Sequence, residues 1–393
     1  MSLSVLHVYK DFYPPVYGGI EQHLNLLCRM LRPFCDVRVL VSASGSPRTR
    51  REVVDGIPVM RAGEWIRIAS APICPTWPLL FRRLRAQLYH FHFPNPTGDV
   101  SYWLSGSRGK IVVTYHSDIV RQSTILPLYR PFLWRLLEKA DAILATSPVY
   151  VESSDYLRPF REKCDVVPLG VDLRRFDRRE AIETRAAEWR SNWQGPLVLF
   201  VGRLRYYKGL DVLMRAAPLI HARIGIVGDG PYEQILRIIH RELDLGDRVV
   251  FLGPQSEFEL LALYRAARVF VLPSTHRSEA LGLAMMEAMA SGVPVVSTEL
   301  GTGTSWVNQH EVTGLVVPPG DPAALARAIN TLVDDDALAA RCGAAARARI
   351  ECEFSHDVMA RRVLRVYERV TGEALLSNRP PDPDGPRPAV SDR

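Results

Sequence analysis

The chain has 393 residues, 47% of them apolar, which exceeds one ordinary core and suits two domains of roughly 170 to 200 residues each. No apolar run reaches the ~18 residues of a bilayer span, the N-terminus has no basic region leading into a long apolar stretch, and six scattered cysteines show no CxxC spacing; neither an integral membrane protein, a signal peptide, a zinc motif nor a redox pair is expected, and a cytoplasmic, reducing location is. Residues 1–172 hold 21 Lys and Arg against 15 Asp and Glu, which is the whole net charge of +6, so an anionic partner is expected on that half.

In chain order, β-rich runs at 3–9, 37–41, 87–93 and 110–115 alternate with helical patterns such as 22–31, and 166–172 closes the half. Such alternation predicts α/β architecture with a doubly wound parallel sheet. Residues 173–195 are charged and lack strand character. A second series then begins, with strands expected at 197–201, 223–227, 249–252, 269–272, 293–297 and 314–317. The organisation expected is therefore an N-terminal Rossmann-like domain 1–172, a linker 173–195, a second Rossmann-like domain 196–355, a C-terminal helix within 356–376 that crosses back, and a disordered tail 377–393 rich in Pro, Asp and Arg. Two tandem sheets of this kind imply a ligand cleft between them.

Strand-to-helix turns carry the candidate chemistry. Gly18 and Gly19, opening the first helix, allow backbone N–H groups to approach an anion, although any βα turn can use paired glycines. Arg203 and Lys208 flank the next such loop, in Gly202-Arg203-Leu204-Arg205-Tyr206-Tyr207-Lys208-Gly209. The chain has 44 Arg and five Lys, and Lys208 is the sole lysine after Lys163, so a compact point charge is wanted there. The two cations suit a diphosphate that gains negative charge as a sugar leaves. Gly228 belongs to Gly228-Asp229-Gly230-Pro231, a turn that departs from GxGxxG at Pro231 and Glu233.

Glu279 and Glu287 would stand about 12 Å apart along one helix, beyond the ~5 to 9.5 Å of a glycosidase pair, so two separate clamps are expected. Glu279, in the loop before the helix, would meet the sugar; Glu287, two turns in, would take a ribose diol; the N–H groups at Leu281, Gly282 and Leu283 would face phosphate. In the first half, His116 ends a strand and could bond a sugar hydroxyl or assist proton movement. His90 and His92 alternate on one strand, but as metal ligands they need a third partner, and buried, satisfied imidazoles are preferred. The acidic runs at 334–336 and 382–384 match DxD formally but lie at a helix junction and in the tail, so no metal is expected. Residues 79–85 and 126–137 interleave aromatics and leucines with arginines, a pattern that suits either an anionic lipid surface or a core-facing stripe; nucleic acid ranks last, since no recognition motif accompanies them.

Together with Pro168-Leu169-Gly170-Val171-Asp172, these motifs resemble the retaining glycosyltransferases of family 4 (group 1), which have the GT-B fold of two Rossmann-like domains facing across a cleft. The resemblance runs to about Val370, and the stretches 272–279 and 299–306 look most like bacterial mannosyl- and rhamnosyltransferases of surface polysaccharides. Leu169 stands where the family usually has Asn. The resemblance implies a hexose donor such as GDP-mannose held by the C-terminal domain, a glycan or lipid-linked acceptor on the N-terminal one, retention of configuration, and no metal or other cofactor. It also implies a peripheral place at the inner membrane face, where the basic half would meet anionic lipid. A UDP-sugar donor, a sugar-nucleotide 2-epimerase of the same architecture, and a non-catalytic nucleotide-sugar-binding protein stay open beside it.

Overall fold

The structure, a computed structural model, describes the chain except residues 1, 17, 69, 117, 119–125 and 379–393, with backbone alone for 126–128 and 378. Two compact units result, one made of residues 1–114, 129–142 and 360–393, the other of 115–128 and 143–359.

The first unit contains strands β1 (Ser4–Val8), β2 (Asp36–Ser42), β3 (Arg50–Val54), β4 (Ile57–Ala62), β5 (Ile66–Ile68), β6 (Ala71–Ile73), β7 (Leu88–Phe93) and β8 (Lys110–Tyr115). Six of these lie side by side in the order β8-β7-β1-β2-β4-β3. β1 pairs parallel with both β2 and β7, β2 parallel with β4, and β3 antiparallel with β4. β7 is buried at all six positions, the continuous run that a parallel strand covered on both faces requires. The hairpin from β3 to β4, absent from the expected elements, turns at Asp55-Gly56, both at positive φ, which is the usual chemistry of a tight two-residue turn. β5 and β6 form a separate antiparallel pair.

In the segments read as surface-active, Leu80, Phe81, Leu84, Tyr129, Leu133, Leu136 and Leu137 are buried, whereas Leu79 and Phe132 are exposed. They are mainly core stripes: a helix on a sheet must bury its apolar face, and the arginines line the solvent edge.

The second unit holds β9 (Ala142–Ala145) paired parallel with β10 (Cys164–Val166). It also holds a six-stranded sheet of β11 (Leu197–Val201), β12 (Arg223–Val227), β13 (Val249–Gly253), β14 (Val269–Leu272), β15 (Val295–Thr298) and β16 (Gly314–Val317). That sheet runs in the order β13-β12-β11-β14-β15-β16, parallel throughout. The order reverses direction beside β11, the switch point at which open α/β sheets place ligands. Residues 166–172, which close the first half of the sequence, carry only the last residue of β10; Val171 is clipped by backbone bonds to Phe354 and His356. Residues 173–195 form a short turn, Leu173–Phe176, and a helix, Glu180–Trp193, that buries Ile182, Ala186 and Trp193, so the expected linker is part of the unit's packing.

Helix starts follow local chemistry. Asp321 caps Pro322–Asp334 by accepting from Ala324 N–H, and Ser256 caps Glu257–Ala266 by accepting from Glu259 N–H. The last helix, His356–Thr371, carries Tyr367, wholly buried among the first unit's histidines. Among the described residues no helix is long and apolar enough to cross a membrane. The tail beyond Asn378 lies outside the described residues.

Candidate active site

In the second unit, β11 and β12 run out into loops so close that a Cβ on Gly228 would lie 2.2 Å from the Gly202 carbonyl oxygen. Gly228 N–H donates to Gly253 O (2.9 Å), Gly202 N–H to Val227 O (3.0 Å) and Leu204 N–H to Asp229 O (2.7 Å). The glycines that look like a phosphate cradle therefore also serve close backbone packing, which shapes the loop that carries Arg203. Arg203 itself is exposed.

The loop closes with a 3-10 turn, Tyr206–Lys208, and Gly209 at φ 67° before the helix Leu210–Ala216. A Cβ on Gly209 would fall 1.9 Å from Pro273 O, so Lys208 is delivered against the segment after β14 by a contact that only glycine permits. There Lys208 Nζ meets Glu279 Oε2 at 2.5 Å, and the Ser274 hydroxyl donates to the same oxygen at 3.2 Å. Burial of Lys208 favours its neutral form, but the Glu279 charge outweighs it, and the ammonium titrates above the ordinary lysine value. The site is thus preset with a buried cation and carboxylate in contact.

Glu279 lies in the loop ahead of the helix Leu283–Ala290, held by Thr302 Oγ1 to Glu279 O (2.8 Å) and Gly303 N–H to Ala280 O (2.8 Å). Gly282, at φ 84°, is the cap residue and supplies no side-chain acceptor, so the first-turn amides from Leu283 onward lack a side-chain cap. Leu281 is buried at 2% exposure and acts in packing; Leu283 is the first helical residue.

Glu287 sits one turn into this helix, not two, because the helix begins only at Leu283. Its carboxylate is held from both sides, by Arg175 Nη1 at 3.0 Å and the Tyr264 hydroxyl at 3.0 Å, and Arg175 also donates to Glu257 at 2.8 Å. Sequence reading missed Arg175 and Tyr264, which lie 112 and 23 residues from Glu287 with no local motif to join them. It also missed Arg277, which donates to Gly301 O (2.7 Å) and Ser153 Oγ (2.9 Å) and so braces the loop before Glu279.

His116 is 3% exposed and follows directly on β8. Nearby, the Asp118 carboxylate accepts from the Tyr115 and Ser154 hydroxyls, both at 2.8 Å, while Ser117 lies outside the described residues. Gly18 and Gly19 belong to the first unit, Gly18 capping and Gly19 opening the helix Gly19–Leu31. A Cβ on Gly18 would lie 2.1 Å from Glu21 Oε2, so the protein's own carboxylate folds over this helix start, in the position expected of a bound anion. Burial raises the Glu21 carboxyl above the usual range.

The third imidazole that His90 and His92 require is His7, on neighbouring β1. Ligand atoms of the three lie within 4.8 Å of one another, all buried. Their nitrogens are engaged internally: His7 Nδ1 with His92 Nε2 (3.0 Å), His90 Nε2 with Thr114 Oγ1 (2.6 Å), and His90 Nδ1 with the Tyr367 hydroxyl (2.5 Å). Desolvation, aided by His23, depresses the His7 pKa to about 3, so this ring is neutral at ordinary pH. The three rings therefore have hydrogen-bonding partners within the protein itself.

Residues 182–349 match the family described as glycosyl transferases group 1, and residues 17–175 match glycosyltransferase family 4. The chain is 35% identical over 367 residues to O-antigen chain mannosyltransferase C of Escherichia coli, covering 93% of this chain and 98% of that one. It is 37% identical over 355 residues to D-rhamnosyltransferase WbpZ of Pseudomonas aeruginosa, covering 90% and 92%. Among solved structures, sucrose-phosphate synthase from Thermosynechococcus elongatus superposes with a TM-score of 0.79 at 24% identity, covering 95% and 100%, a likeness of fold alone.

Proposed function

The chain belongs to the group 1 glycosyltransferases of family 4, with their GT-B fold of two Rossmann-like halves, and on that premise we propose that it moves mannose from GDP-mannose, with retention, to a glycan or lipid-linked acceptor in surface-polysaccharide synthesis. The observation that carries the reading is the Lys208–Glu279 contact beside the side-chain-free start of the helix Leu283–Ala290. In this reading, first-turn amides and Lys208 take the diphosphate, with Arg203 swinging in from solvent. The charge that grows on the leaving oxygen is then met by fixed cations and dipoles, with no metal needed. The departing phosphate oxygen takes the acceptor hydroxyl proton as the new bond forms on the face the diphosphate leaves. Glu279 orients the sugar hydroxyls, and Glu287, already aimed by Arg175 and Tyr264, takes the ribose diol.

The two relatives named above differ in sugar, one named for mannose and one for D-rhamnose, which is mannose without the 6-hydroxyl. A 6-deoxy donor is accordingly the second reading. A thermal-shift screen with GDP-mannose, its 6-deoxy counterpart, GDP, UDP-glucose and UDP, in the presence of chelator, tests both. A guanine nucleotide at about 100 times its dissociation constant adds about 2.7 kcal/mol. Selective response to uridine nucleotides discards the GDP donor, and transfer abolished by chelator and restored by Mn²⁺ discards the metal-free mechanism. Peripheral attachment to an anionic membrane, which would bring a lipid-linked acceptor within reach, is part of the proposal.

A further inference from the structure

β5 and β6 pair Ile66 with Ile73, Arg67 with Pro72 and Ile68 with Ala71 in a two-stranded sheet of their own. Their side chains alternate sharply. Trp65, Ile66 and Ile68 are 72%, 56% and 52% exposed. Arg67 turns the other way and forks onto Asp11 (2.9 and 2.8 Å) and Glu64 (2.9 and 2.7 Å). An isolated hairpin is marginal in water, but here charge-assisted bonds pin it to residues just past the end of β1. The side of Arg67 is polar, Ile66 and Ile68 share the other face of β5, and Trp65, directly ahead of the strand, is exposed next to them in the chain. Single exposed apolar residues are ordinary, whereas a cluster on one hairpin marks a contact surface.

The neighbouring segment is cationic. Glu64 N–H donates to Ser46 O at 2.7 Å and Gly63 N–H to Thr49 Oγ1 at 3.0 Å, so residues 46–49 lie against the hairpin root. Arg48, Arg50 and Arg51, which continue that segment into β3, are exposed, and Val53, on the same face of β3 as Arg51, is 70% exposed.

We propose that Trp65, Ile66 and Ile68, with Arg48, Arg50 and Arg51 beside them, form the surface by which this protein docks on an anionic lipid bilayer. Tryptophan and isoleucine enter the headgroup boundary while the guanidinium groups pair with lipid phosphates. The charge beside the apolar cluster selects this occupant: a bare apolar face would suit another protein, but apolar anchors beside exposed arginines complement anionic lipid. The inference rests on the lipid-linked acceptor reading for its purpose, but not for its measurement.

The test is co-sedimentation of the full chain with vesicles of phosphatidylcholine, alone or mixed with phosphatidylglycerol, without donor or acceptor. Wild type is expected on the mixed vesicles, with part of its tryptophan emission quenched by lipids brominated near the headgroup, a part lost when Trp65 is replaced. Replacing Arg48, Arg50 and Arg51 by Ser lowers partitioning about 100-fold, at about 1 kcal/mol per arginine. Trp65→Ser with Ile66→Ser and Ile68→Ser lowers it at least about 10-fold at an unchanged urea midpoint. An Arg83→Ser, Arg85→Ser control keeps full binding. No wild-type binding, binding kept by the hairpin variant, loss in the control equal to that of the hairpin variant, or a wild-type dimer that this variant turns into monomer would each overturn the proposal. Because vesicle binding needs no nucleotide, a failed donor screen leaves this result standing, and a failed vesicle assay leaves the donor reading standing.

Discussion

The Lys208–Glu279 pair separates structure from chemistry in one experiment. Lys208→Met leaves the Glu279 carboxylate, 9% exposed, without its cation, and Glu279→Gln does the converse to a lysine 13% exposed. Stranding one partner of a buried pair costs about 3 to 5 kcal/mol, and the Ser274 hydroxyl, still donating to Glu279, sets the expectation at the lower end, about 3 kcal/mol for each single change. Removing both charges together should cost about 3 kcal/mol rather than about 6, a coupling of about 3 kcal/mol. The lysine pKa is raised from 10.5, so the contribution is complete below that pH and is lost only as pH rises through the higher folded value. Urea titrations near neutral pH therefore measure it whole. Transfer should fall about 100- to 1,000-fold in Lys208→Met and stay there in the double variant, whose stability is no lower than that of either single variant. Additive penalties in the urea titrations would refute the buried contact. Transfer restored in the double variant would reduce Lys208 to a structural residue.

Arg175→Ala should raise the donor KM about tenfold with kcat little changed, and Arg175→Lys should recover part of it, since the guanidinium aims Glu287 without touching the reacting atoms; a fall in kcat at unchanged KM would contradict this. Burial raises the Asp99 carboxyl from 3.8 to about 7, so its penalty is absent below pH 3.8 and stability is lost as pH rises toward 7. Asp99→Asn should therefore exceed wild type by up to about 4 kcal/mol at about pH 8 and match it at about pH 4, as read by urea titration; equal stability at both would show that the carboxyl is not desolvated. Gly209→Ala pays for a left-handed residue and for a Cβ 1.9 Å from Pro273 O, and should cost about 2 kcal/mol or more while cutting transfer as Lys208 is displaced; a thermal midpoint equal to wild type would show that the loop yields freely.

Local signals made much of the fold legible in the sequence. A parallel strand buried on both faces must be apolar along its length, as Leu197–Val201 is, and a helix start must satisfy its own amides, as Asp321 and Pro322 do, so each can be read within a few residues. The loop of Arg203 and Lys208 and the Glu279 to Glu287 spacing were likewise visible, because turn chemistry and short spacing are local. Tertiary structure alone decided what those charges touch. Lys208 finds Glu279 across 71 residues, Arg175 finds Glu287 across 112, and His7 joins His92 across 85. Neighbours in a parallel sheet are set by crossover connections, and no periodicity along the chain records which strand ends will meet. The same holds for exposure: Leu133, Leu136 and Leu137 and the isoleucines of β5 are equally apolar as letters, and only the presence or absence of a packing partner turned one set inward and left the other in water.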